Sequence, residues 1–177
     1  MHRLRSAAAR ATIAIFFSAS SMGPATATPG SGFTPFGIVA GQFGKISLNT
    51  AGNKTGKWGM ILKTLDDTDV GADRIEMDPN GYTGWHSHPS AVFVTVTAGS
   101  IVWYDGSDPA CPGHHYGTGE SFIEDAYRIH NATNPSGVPA EFIGIHINPT
   151  GTSGPNFVID EDEPTNCAAQ NLPGHKH

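Results

Sequence analysis

The strongest constraint on this chain is its punctuation. From Lys57 onward, short runs rich in β-branched and aromatic residues recur between clusters of Gly, Pro, Asn and Asp, at 58–65, 73–77, 91–97, 100–104, 121–123, 127–132 and 140–148. Several runs alternate as half-buried strands do. In Arg74-Ile75-Glu76-Met77 the apolar side chains fall on one face, because the side-chain period of a strand is two. No segment holds a helical period over ten or more residues. The separators have turn chemistry: Asp78-Pro79-Asn80-Gly81 and Tyr104-Asp105-Gly106 supply the Asn-Gly and Asp-Gly pairs that tolerate positive φ. Strands at this spacing predict an all-β sandwich or barrel.

The two ends read differently. Arg3, Arg5 and Arg10 surround the start of a short apolar run, 11–17, and Ala25-Thr26-Ala27 has the small-x-small form of a cleavage site. Residues 1–27 are therefore expected to be an export signal and the mature chain to start at Thr28. The run is far shorter than the roughly 20 apolar residues of a spanning helix, and no stable membrane span is expected. The remaining 150 residues suffice for a single domain. It is divided here into an N-terminal arm or edge strand at 28–56, a barrel at 57–150 and a tail at 151–177.

Of the ten Lys and Arg, three lie in 1–27, where none of the sixteen Asp and Glu lies, so the mature chain carries a formal −9. Nucleic acid is excluded as a partner for so acidic a surface. Cys111 and Cys167, the two cysteines of an exported chain, favour a disulfide that ties the Gly-, Pro- and acid-rich tail to the domain. The other reading, two thiolate ligands, lacks a Cys-x-x-Cys or Cys-x-His neighbour for either residue. The export signal places the protein in a secreted or extracytoplasmic setting.

Chemistry concentrates in Gly84-Trp85-His86-Ser87-His88-Pro89. Histidines at i and i+2 of a strand project the same way, so both imidazoles can reach one ion. A third, His130, lies in a later β-run that follows Gly119 and precedes Asn134.

These residues resemble the two motifs of the cupin superfamily. Gly84, His86, His88 and Gly99 match the first, and Gly119, His130 and Asn134 match the second, over roughly 74–149. The resemblance implies a double-stranded β-helix, the cupin jelly-roll barrel, with His86, His88 and His130 as ligands of a divalent metal at the barrel mouth. Two positions depart from the pattern. Val92 stands where the family usually has a ligand Glu, four residues after the second histidine, and Asp125-Ala126-Tyr127 replaces the usual Pro-x-Gly turn.

Three neutral imidazoles would leave a divalent site at about +2, against about +1 with a carboxylate. They would also leave positions open to water or substrate. Imidazole suits Fe, Cu, Zn and Ni, and Mn is carried as a further candidate. The plain alternative is that these are packed or hydrogen-bonded barrel histidines. Glu124 and Asp125 are candidates for the missing carboxylate, but a turn there places them in solvent. His114 and His115 read as a Gly-rich solvated loop, His146 as a satisfied histidine on the last long run, and Trp85, Phe93, Trp103 and Tyr104 as packing residues or pocket walls. Asn53-Lys54-Thr55 and Asn131-Ala132-Thr133 have the glycosylation form by chance.

The resemblance implies an exported, metal-binding protein taking a small-molecule ligand or substrate, with homodimerisation common among its relatives. A metal-dependent oxygenase or related lyase or isomerase, acting on a substrate that ligates through oxygen, is the first expectation, and a non-catalytic binding protein the second. No residue is assigned a catalytic role from sequence.

Overall fold

The computed structural model describes residues 29–50, 56, 58–152, 157–168 and 172, so the expected export signal and the first glycosylation-type triplet lie outside the described residues. Twelve strands follow in chain order: β1 (Ser31–Phe43), β2 (Ser47–Asn49), β3 (Ile61–Lys63), β4 (Thr68–Tyr82), β5 (His86–Ser87), β6 (Val92–Ala98), β7 (Ser100–Asp105), β8 (Gly113–Gly117), β9 (Ser121–Glu124), β10 (His130–Thr133), β11 (Ala140–Pro149) and β12 (Ile159–Asp160). The fold is all-β, and among the described residues no helix is long and apolar enough to cross a membrane.

Ten strands form one nearly closed sheet, with β2 and β3 pairing separately. One half runs β1-β4-β11-β6-β9 and the other β8-β7-β10-β5-β12, and the Thr133–Tyr82 pair joins them. All pairings are antiparallel, which is the double-stranded β-helix.

The interior follows from the period-two pattern. On β6, Val92, Val94 and Val96 face inward while Phe93, Thr95 and Thr97 face out. On β11 the inward set begins Ala140 and Phe142, opposite Met77 and Ile75 of β4. With Ile101, Trp103 and Ala132 these residues make the main core. The β6–β7 hairpin closes on Gly99 at φ +67°, where a Cβ would stand 2.7 Å from the Pro139 carbonyl oxygen, so the turn demands glycine.

A second, smaller cluster lies under the tail: Trp85, Leu172 and the Cys111–Cys167 disulfide, with Tyr104 and Ile129 against it. The tail then lays β12 alongside β5, and Ser87 Oγ donates to Glu161 at 2.7 Å.

The structure corrects several local expectations. Asp78-Pro79-Asn80-Gly81 is not a turn between strands but an irregularity inside β4, where Asn80 takes φ 62° and the pairing with β1 slips. Residues 127–129, read as strand, form the approach to β10, with Tyr127 at φ 56°. The stretch holding His114 and His115 is strand β8, because it pairs with β7 through Val102–His115 and Trp103–His114.

Candidate metal centre

His86 opens β5 and His130 opens β10, and the two residues are direct antiparallel partners. His88 follows two residues after His86. Their ring centroids are 4.3 Å (His86–His130), 4.9 Å (His86–His88) and 5.1 Å (His88–His130) apart. One ligand atom from each lies within 4.8 Å of the others.

The main chain fixes the protonation pattern of all three rings. His86 Nδ1 contacts the Gly84 carbonyl at 2.8 Å, His88 Nδ1 the Phe157 carbonyl at 3.0 Å and His130 Nδ1 the Arg128 carbonyl at 2.8 Å. A carbonyl can only accept, so each Nδ1 carries the hydrogen and donates it. In the neutral ring this leaves the Nε2 lone pair as an acceptor. His130 Nε2 is buried with no hydrogen-bond partner.

A carboxylate missed by the turn reading lies beside these lone pairs. Glu124 is the last residue of β9, on the face of Phe122, and is 6% exposed, whereas Ile123 between them is 52% exposed. Asp125, one residue on, is the solvent-facing member and pairs with Arg128 at 3.0 Å. Glu124 Oε2 lies 3.4 Å from His88 Nε2, and Oε1 lies 3.2 Å from His130 Nε2.

Burial holds His86 down to about 3, with His130 and His88 acting in the same direction. Burial also lowers His130, against the opposing pull of Glu124. For Glu124 burial acts upward, but the facing His130, His88 and His86 outweigh it and hold the carboxyl at about 2. Near neutral pH Glu124 is thus an ionised carboxylate close to His86 and His130, whose rings burial keeps neutral. Such a donor set, all acceptor and desolvated, fits a divalent cation.

His86 and His88 open into a cavity of about 310 Å³ whose walls are mostly apolar, among them Phe33, Ile75, Phe122, Phe142 and Phe157. His146 and Asp73 line it as well. Asn148 Nδ2 donates to His146 Nδ1 at 2.7 Å, which leaves the hydrogen on Nε2, and that atom donates to Asp73 at 3.0 Å. Ser90 in turn donates to the Asn148 side-chain oxygen. Gly71 makes room for this ring: a Cβ there would stand 2.2 Å from it.

Phe157, from the tail, stacks on His88 at 4.3 Å and packs at a tilt against His146 at 4.2 Å. Nothing local in the sequence pointed to it. His114 and His115 are exposed on β8 and do not line the cavity. Asn134 donates to the carbonyls of Met77, Asp78 and Val138 and so stitches a turn. Asn131 is fully buried, which leaves no room for a glycan on the second triplet.

Fold and site together define a double-stranded β-helix with a histidine-lined interior. The Cupin domain family profile matches residues 73–146, which assigns that stretch of the chain to the cupin superfamily. Among solved structures, it is similar to the polyketide cyclase RemF of Streptomyces resistomycificus, with 16% identity over 86% of this chain and 91% of that one, at a TM-score of 0.50. It is also similar to an uncharacterised double-stranded β-helix protein of Klebsiella pneumoniae (21% identity, 67% of this chain, 86% of that one, TM-score 0.42). A third likeness is to a cupin domain of Bordetella pertussis (22% identity, 59% of this chain, 94% of that one, TM-score 0.40). At these identities the likeness is one of fold. No curated protein matches the chain.

Proposed function

We propose that this is an exported, metal-dependent cupin in which His86, His88 and His130 hold a divalent ion, and that it acts on a small organic molecule able to ligate through oxygen. The observation that carries this reading is the protonation pattern: three Nδ1–H groups are spent on main-chain carbonyls, so the Nε2 lone pairs of three clustered rings are left to accept, and those of His88 and His130 face a carboxylate. His130 Nε2 is buried with no hydrogen-bond partner, a deficit that a bound cation would relieve.

When bound, such an ion supplies Lewis-acid or redox activation of a coordinated oxygen. The chain's own residues bind and exclude. The apolar walls desolvate a ligand of small aromatic or enol size, and Phe157 covers His88. Asp73, 30% exposed and already bonded to His146, is a polar group on the cavity wall that can accept a hydrogen bond from a substrate hydroxyl.

Elemental analysis of protein purified without metal resin, carrying His175→Ala and His177→Ala to remove tail histidines, tests the reading. One equivalent of metal is expected, lost in His86→Ala. An empty wild-type site, or unchanged content in the variant, overturns it. A redox-active ion supports the oxygenase assignment; zinc shifts it towards lyase or isomerase chemistry.

One observation favours a non-catalytic binding protein instead. Both ring nitrogens of His146 are engaged, so that histidine is not a free base. Stoichiometric binding of an enol or catechol without turnover by the metal-loaded protein would select that reading.

A further inference from the structure

Given the metal reading above, on which this inference rests, we propose that Glu124 is a fourth protein ligand of the ion, replacing from the neighbouring strand the carboxylate that the sequence lacks at Val92. The two positions are linked by register: Val92 of β6 and Glu124 of β9 are direct antiparallel partners, and both line the cavity. Residues opposed across a ladder project to the same side of the sheet. A carboxylate lost from one can therefore be restored from the other without moving the backbone.

Three features separate a ligand from a carboxylate that is merely near. The first is distance. Donors sharing a tetrahedral ion at about 2.1 Å stand about 3.4 Å apart, and neighbouring octahedral donors about 3.0 Å. The observed 3.4 Å to His88 Nε2 and 3.2 Å to His130 Nε2 fall in that range. The second is the direction of the donors. Nε2 of both rings is an acceptor because the hydrogen sits on Nδ1, so a carboxylate opposite it is acceptor against acceptor, an arrangement that a shared cation resolves. The third is burial. Glu124 is 6% exposed, and its ion-pair partners among the described residues are His88 and His130, whereas Arg128 is engaged by Asp125 and Asp105.

The assignment changes what the site can do. Its charge with a divalent ion becomes about +1 rather than +2, which removes the preference for strongly anionic ligands expected from three imidazoles alone. Four protein ligands also fill a tetrahedral ion, while a six-coordinate ion keeps two positions for an oxygen-bearing ligand. A functional ion should therefore be six-coordinate.

The test is cobalt(II) and manganese(II) titration of the chelator-treated protein, with chelator competition for affinity and the cobalt visible spectrum for coordination. Wild type, Glu124→Gln, and Val92→Glu combined with Glu124→Val are compared, with thermal melts of the metal-free forms as a folding control. We expect Glu124→Gln to lose at least about 100-fold in affinity, beyond what loss of an outer-sphere partner costs, and to change the cobalt spectrum. The strand-swapped double variant should recover most of both. Wild-type affinity and spectrum in Glu124→Gln overturn the Glu124 assignment and leave the histidine site standing. No binding by wild type overturns the histidine site and this inference together. If Glu124→Gln fails to fold, the swapped variant decides: wild-type-like binding supports the assignment, and binding no tighter than that of a folded Glu124→Ala variant overturns it.

Discussion

The two ends of one cavity hold buried histidines that differ in a single respect. At the His146 end an amide sits on Nδ1, so the ring accepts there and donates from Nε2 to Asp73, and both nitrogens are satisfied. At the other end a backbone carbonyl sits on the Nδ1 of His86, His88 and His130, so each ring donates there and turns a bare lone pair inward. Burial does not distinguish the two ends. Whether the outer nitrogen meets a donor or an acceptor decides whether a buried imidazole is a structural strut or an available ligand.

The sharpest way to break this contrast is to truncate each end in turn. His130→Ala should abolish stoichiometric metal, whereas His146→Ala should retain it, as read by elemental analysis; equal loss from both would show that the distinction is wrong. The next effect concerns the tail that carries Phe157 to both ends. Cys167→Ser opens a disulfide of sequence separation 56 and should cost up to about 4 kcal/mol, seen as a lower denaturant midpoint.

Acid should weaken the ligand end first. In the metal-free protein His86 and His130 titrate below their ordinary value of 6.5 and Glu124 below 4.5. The unfolded chain therefore takes up protons first, and stability is full above pH 6.5 and falls as the pH drops. For His86 alone the loss at pH 5 is on the order of 2 kcal/mol. A flat melting temperature between pH 7 and 5 would contradict neutral, buried imidazoles. The smallest effect is Phe157→Leu, which removes two ring contacts but keeps the carbonyl that His88 Nδ1 needs. A stability loss of about 1 kcal/mol with metal content unchanged is expected from calorimetry and elemental analysis.

Strand alternation made much of the barrel legible. The valines of β6 and the inward set of β11 read directly as one face, and His86 with His88 followed from the same period. The reading failed where one residue of register mattered. Glu124-Asp125-Ala126-Tyr127 has turn composition, yet the strand ends one residue inside it, and the alternation from Phe122 carries Glu124 inward. That alternation, beside a valine where a carboxylate was expected, was the signal available. Phe157 left no such signal, because it meets His88 from 69 residues away and only the tail's path brings it there. β4 was read short because Asn-Gly chemistry serves a bulge as well as a turn.

The pairing of His86 with His130 has an architectural consequence. Their separation is set by the ladder between β5 and β10, with β12 on the outer side of β5, rather than by any loop. Wall positions away from this ladder, such as Phe33, Ile75 and Phe142, can therefore change while the imidazoles keep their spacing. Change in this protein would then be free to reshape the walls and rim around a fixed pair of rings.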